Sequence, residues 1–251
     1  MKASRPSSPF LNELIGFGLL LGLWTALSLF FPVYVIPSPL EILRGLPEFL
    51  KAGLVSAILS TILRIMIGFS LSLLVGYLLA LWLYNRRLGH YLSSMLQAFQ
   101  ILPAITVGVI LVIVFGIGHL PPIGLAFLMT LPFITLNTMQ ALNNADSEQQ
   151  EFLVSIKADR KTIYRFLLKP VLVRVTKDNL IMGFGLAIKI VIMGEFIGSQ
   201  DGIGYLLNRA RLVFNMKEVF FYLVILLILT LTFQAIVNLL YNGPIRRYNY
   251  D

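Results

Sequence analysis

Six apolar stretches, each about as long as a helix must be to cross ~30 Å of hydrocarbon at ~1.5 Å per residue, take up most of this chain. They run from Leu11 to Phe31, Ile62 to Tyr84, Ser94 to Phe115, Pro121 to Leu142, Asn179 to Gly198 and Val219 to Tyr241. Within lipid every backbone polar group must find its partner inside the segment. None of the six alternates strictly as a membrane barrel strand would, so each predicts a helix. The fourth is the most interrupted, because Pro132 lies inside it and Asn137, Thr138 and Gln140 crowd one end. Charged residues make up 13% of the chain, against about a quarter in soluble domains, and mean hydropathy is +0.83. The expectation is an all-α, polytopic integral membrane protein forming a single domain over residues 1–251, with no room for a separate soluble domain.

Basic residues set the orientation. With both termini in the cytoplasm, thirteen Lys or Arg fall inside and five outside, with Arg64 and Lys189 uncounted because they sit within or at the edge of spans. The net charge of +8 then reflects insertion bias and attraction to anionic membrane lipid, not nucleic acid. The first apolar run is too long for a signal peptide and lacks a small-residue cleavage site, so it reads as an uncleaved span.

The polar segments carry helix punctuation. Ser38-Pro39-Leu40-Glu41 is a capping box that predicts a short outer helix to about Leu50, with one apolar face on the membrane or the bundle, or serving only as a spacer. Gly202-Ile203-Gly204 lacks a preceding strand and a third glycine, so it reads as a turn and not as a phosphate cradle. The one long charged run, Ser147 to Asp178, holds seven basic residues, yet apolar residues recur in it at helical spacing. Ser147 with Gln150 forms a second capping box and Asp159 can cap another helix, so the run predicts two short helices joined at Lys157 and Ala158, the second ended or kinked by Pro170.

Catalytic chemistry has no constellation here. There is no Walker-type loop and no cysteine, and His90 and His119 fall on opposite sides of the membrane and read as simple surface groups; no metal or cofactor is expected. Lys189 is the one ionisable residue near mid-membrane, where an ammonium costs about 2.5–3.5 kcal/mol, so it should face the bundle interior, a wet cavity or a partner. It lines a path for an anionic or polar solute, or it is a structural lysine bonded to carbonyls or to Gln97, Gln100 or Asn137. Glu195 lies six residues on, about 120° around the helix, which argues against an intrahelical pair; it reads as a structural, interface or gate residue rather than a proton carrier. These two are the candidates for a translocation path.

In order, Ile36-Pro37-Ser38-Pro39, Gly68-Phe69-Ser70, Phe115-Gly116-Ile117-Gly118 and Gly194-Glu195-Phe196-Ile197-Gly198 before Gly202-Ile203-Gly204-Tyr205-Leu206 resemble the permease subunit of ABC importers, of the nitrate, sulfonate and taurine type. The charged run is similar to that superfamily's EAA loop: Glu151 and Pro170 stand at matching spacing, Leu167 replaces a usual isoleucine, and Arg160, Tyr164 and Arg165 fit between. It departs in Phe152 and Leu153 for the two alanines, Lys157 for the glycine and Lys169 for the leucine before Pro170. A left-handed turn at Lys157 would cost a non-glycine residue about 1 kcal/mol or more. The resemblance implies a type I importer permease fold in the plasma (inner) membrane. It further implies a homodimer of permeases, a separate ATPase docked on residues 146–170, and an extracytoplasmic solute-binding protein, with no hydrolysis on this chain. Glu151, Phe152, Ile156, Lys157, Ala158, Arg160, Tyr164, Arg165 and Pro170 would then couple to the ATPase. The resemblance also admits relatives that carry thiamine or riboflavin precursors. A secondary transporter would instead call for internal repeats and several intramembrane carboxylates or broken helices; no repeat and no acidic residue in a span interior is evident, and a membrane enzyme would need a catalytic cluster.

Overall fold

A computed structural model describes residues 9–50, 53–86, 88–144, 153 and 155–242. Those residues fold as helices: α1 (Pro9–Phe30), α2 (Pro39–Phe49), α3 (Leu54–Arg86), α4 (Gly89–Ile101), α5 (Ala104–Phe115), α6 (Leu120–Asn143), α7 (Arg160–Ile163), α8 (Lys169–Asp178), α9 (Phe184–Gly198), α10 (Ile203–Leu212) and α11 (Met216–Asn242). Two π-helical segments, Tyr164–Leu168 and Asn179–Gly183, join α7, α8 and α9 into one continuous helical run. Among the described residues, α3, α6, Lys161–Gly198 and Met216–Tyr241 are each long and apolar enough to cross a membrane.

The third expected span is not one rod. It breaks at Leu102 and Pro103 into α4 and α5, bent by 85°. Proline donates no amide hydrogen bond and drives the residue before it out of helical backbone; Leu102 accordingly sits at φ −61°, ψ 129°. Pro132 behaves differently, lying buried inside an unbroken α6. Pro170 does not end its helix either. The π segment before it places the Lys169 amide on the Tyr164 carbonyl, five residues back, and the widened turn admits the proline ring at the start of α8. The second span also begins earlier than expected, at Leu54, which sets Arg64 nearly three turns inside α3.

The chain divides into two compact units. The smaller comprises Met1–Leu54 and Leu207–Ile225. Here the Trp24 indole N–H donates to the Pro37 carbonyl at 3.0 Å, Trp24 stacks on Phe220, and Phe49 packs on Phe221. The Ser38 capping box is formed in full, with the Glu41 amide on the serine hydroxyl and the Glu41 carboxylate on the Ser38 amide.

The larger unit, Val55–Leu206 with Leu226–Asp251, packs α3, α5, α6 and α9 around Ile65, Phe69, Leu125, Ala126, Ile134, Ala187 and Val191. Gly68 lets α3 approach α6 closely, since a Cβ there would lie 2.8 Å from that of Ala126. Phe69 beside it meets Phe184 edge-on, and Phe233 stacks on the other side of Phe184. At the end of this unit nearer the charged run, Asn179 is fully buried in a polar knot: its amide nitrogen donates to Tyr77 and Thr138, its amide oxygen accepts from Asn137, and Tyr77 donates to Thr176. Asn137 and Thr138, which crowd the end of the fourth apolar stretch, are therefore bundle-facing groups satisfied across helices.

Candidate functional site

The charged run builds a turn and then a helix with two distinct faces. Lys157 adopts φ 51°, and the Ala158 amide donates to the Leu153 carbonyl at 2.9 Å, the six-to-one bond of a Schellman cap. The left-handed turn thus forms without glycine. Asp159 Oδ1 then accepts the Thr162 amide at 3.2 Å, and these bonds from Thr162 hold its carboxyl below the usual carboxylate range. Leu153 and Leu167 are buried against Ala158, Ile163 and Val171. Ile156 and Tyr164 turn outward, 55% and 51% exposed, as does Phe166, with the Arg165 guanidinium 5.6 Å from its ring centre. Arg160 opens α7, and Pro170 lies in the first turn of α8. Glu151, Phe152 and the Ser147 capping box lie outside the described residues.

At the opposite end of the same unit, one arginine gathers four chain segments. Arg64, 1% exposed, donates from Nη1 to Glu195 at 2.8 Å and to the Asp201 carbonyl at 2.9 Å, and from Nε to His119 Nδ1 at 3.2 Å. Its Nη2 reaches His119 and the Asp201 carboxylate. Glu195, also 1% exposed, accepts in addition from the Thr61 hydroxyl at 2.9 Å and the Gly204 amide at 2.8 Å. Ser60 donates to Asp201 Oδ2, and Thr61 accepts the Ile203 amide. A buried ion pair is stable only where further hydrogen bonds such as those from Thr61 and Gly204 help satisfy the charge. Asp201 is the open end of the cluster, its side chain 44% exposed. Burial pushes its carboxyl upward, but the bonds from Arg64 and Ser60 outweigh this and hold it below the usual range.

Gly202-Ile203-Gly204 is a turn with a definite cargo. Gly202 sits at φ +100° and a Cβ there would strike the Glu195 carboxylate at 2.5 Å; at Gly204 it would strike the Ile192 carbonyl at 2.5 Å. The two glycines let backbone wrap a carboxylate from within the chain. Arg64 and His119 do not declare themselves as site residues in the sequence. Arg64 lies well inside α3, which begins ahead of the apolar stretch at Ile62, and His119, expected as a simple surface group, is an acceptor for Arg64. The usable signal was a guanidinium inside an apolar run, which calls for a named partner.

Lys189 and Glu195 do not share a surface. On α9, Ala187, Val191, Gly194, Glu195 and Gly198 are buried, whereas Lys189 and Met193 are exposed, continuing a face that begins with Met182 in the preceding π segment. Lys189 has no hydrogen-bond partner among the described residues, and Asn137 is engaged with Asn179 instead. No group of three or more His, Cys, Asp or Glu able to hold a metal occurs among the described residues.

Comparison with known proteins bears on these features together. The chain is 27% identical over 212 residues to the formylaminopyrimidine transport permease protein ThiX of Halalkalibacterium halodurans, covering 82% of this chain and 83% of that protein. It is 29% identical to the riboflavin transport system permease protein RibX of Chloroflexus aurantiacus, with 84% and 79% covered, and 23% identical to the putative aliphatic sulfonates transport permease protein SsuC of Bacillus subtilis, with 82% and 75% covered. The fold matches a chain of the inward-facing MetNI methionine ABC transporter at a TM-score of 0.67 and 19% identity, over 78% of this chain and 96% of that one. Residues 72–249 match the model of the binding-protein-dependent transport system inner membrane component, and the chain belongs to that family of ABC transporter permeases.

Proposed function

We propose that this permease works as a homodimer whose residues 153–170 dock on a separate ATPase and whose α9 face, bearing Lys189, lines the path of a small anionic solute. The observation that carries the docking is the division of labour in the charged run. Leu153 and Leu167 satisfy the local core, which leaves Ile156, Tyr164 and Phe166 as exposed apolar groups beside Arg165, ahead of the apolar stretch Asn179–Gly198. Apolar anchors rimmed by charge are what a partner groove engages. The excess of Lys and Arg in this run and at both ends of the chain supports an orientation with the termini in the cytoplasm and the run facing the ATPase.

Coupling then follows from connectivity. The docking segment continues through α8 and the second π segment into α9, so a displacement at Tyr164 is carried along one helical run to the face that bears Lys189. Lys189 supports an anionic solute because an exposed ammonium on a membrane-crossing helix needs either a wet path or a counter-charge. Relatives named for sulfonate and nitrate transport favour this reading, and those named for formylaminopyrimidine and riboflavin hold the alternative of a heterocyclic solute open. Glu195 acts from behind the wall, holding Arg64.

The test replaces Ile156 and Tyr164 singly with Asp. Each variant should reach the membrane in normal amount yet lose co-purification with the ATPase subunit and lose uptake, about tenfold or more for loss of a buried anchor at such an interface. Unchanged association with both variants would sink the docking assignment.

A further inference from the structure

A second polar site lies between α6 and α8, on the coupling side of the buried Asn179 knot. It is a pocket of about 330 Å³ lined by Asn137, Gln140, Asn144, Arg174 and Asp178 over a floor of Val171, Val175 and Ala141. That volume suits a small polar ligand, being at the lower end of the usual ~300–1,000 Å³. Three carboxamides, at positions i, i+3 and i+7, form a ladder along one side of α6. Arg174 and Asp178 stand one turn apart on α8 opposite them.

The charges in this pocket are not used up internally. Arg174 and Asp178 form no ion pair among the described residues, and their order along the helix, basic before acidic, is the less favourable one for an i, i+4 pair. Gln140 and Asn144 bond no other described side chain, and both are exposed along with Arg174 and Asp178. The pocket therefore presents a guanidinium and a carboxylate about one helical turn apart. Between them stand amides that both donate and accept, and the α6 carboxyl end adds partial negative charge on the α6 side. A plain anion would meet Asp178 and that helix end, and a plain cation would meet Arg174. A ligand with both charges satisfies both.

We propose that this pocket binds a zwitterion, with a phosphate- or sulfonate-type anion on Arg174 and a primary ammonium on Asp178, steadied by Gln140 and Asn144. The same chemistry is offered by a free aminoalkyl phosphate or sulfonate and by the headgroup of phosphatidylethanolamine. Placement on the cytoplasmic side rests on the orientation proposed above, whereas binding itself does not.

The full-length permease is melted in detergent with and without glycerophosphoethanolamine, and in nanodiscs of phosphatidylethanolamine, phosphatidylcholine or phosphatidylglycerol. Binding near saturation should raise Tm by about 3 °C or more. The rise should vanish in Arg174→Gln and in Asp178→Asn, both exposed positions that leave the fold intact, and persist in Lys177→Gln on the neighbouring face. A response to the soluble compound identifies a free zwitterion as a source. A response to phosphatidylethanolamine discs alone, over the quaternary and anionic lipids, identifies the headgroup. Equal melting in all three lipids with no effect of the soluble compound, or a rise that survives Arg174→Gln, overturns the proposal. Because ATPase association is not read, failure here leaves the coupling assignment standing, and the reverse also holds.

Discussion

Every nitrogen of the Arg64 side chain is spoken for by Glu195, Asp201 or His119, so this residue is a junction and not a stray charge in a span. Arg64→Met should cost about 3–5 kcal/mol by leaving Glu195 buried and short of its counter-charge, with Arg64→Met/Glu195→Gln recovering part of it. Melting of the purified variants decides this, and a parental Tm for Arg64→Met would refute it. Lysine should not rescue, since one ammonium cannot span three acceptors placed for a planar fork. Asp201 supplies a pH dependence. Its folded pKa lies below the ordinary 3.8, so its contribution is complete above that value and is lost as pH falls through the folded pKa. Acid should loosen the Gly202 loop, read as lower amide protection factors at Ile203 and Gly204 after correction for intrinsic exchange, and Asp201→Asn should lower them already at neutral pH. Of this cluster the sequence displayed Glu195 and the paired glycines but not their mutual contact. A turn that wraps a carboxylate looks, in one dimension, like any other Gly-x-Gly turn.

Elements differ in how they treat proline, and composition alone did not distinguish the cases. Pro103 splits a span, Pro132 lies within an unbroken one, and Pro170 is absorbed by a π segment. The outcome depends on where the displaced carbonyl goes. The π segment Tyr164–Leu168 adds a residue to one turn, and removing it should restore ordinary register and rotate all that precedes it by ~100°. Deletion of Leu168 should therefore leave a membrane-inserted protein that no longer presents Ile156 and Tyr164 correctly, with ATPase association and uptake both lost. Retained uptake would make the segment incidental. Lys157 carries a comparable lesson: family pattern asks for glycine there, yet the Ala158 to Leu153 bond is formed with lysine in left-handed backbone. A side chain that points into solvent tolerates that conformation at the cost of about 1 kcal/mol.

For the whole molecule, the apolar periodicity made the helical membrane class legible, because the requirement for internally satisfied backbone leaves few options. What it could not supply was facing. Lys189 and Glu195 lie six residues apart on one helix, and only the packing of α9 against α6 decides that the carboxylate turns inward while the ammonium stays exposed. Lys189→Met should leave membrane insertion unchanged and lower uptake of an anionic solute about tenfold or more, the loss expected for one charge-assisted contact. Normal uptake would make Lys189 a lipid- or partner-facing residue of no consequence for the path.

The Arg64 to Glu195 contact spans 131 residues of chain, and that separation bears on biogenesis. α3 must enter the bilayer with its guanidinium uncompensated and stay so while α4, α5 and α6 are made, until α9 delivers the carboxylate. The growing polypeptide thus carries a charge defect that only near-completion repairs, and a nascent chain interrupted before α9 is marked, by that one unneutralised arginine, as unfinished.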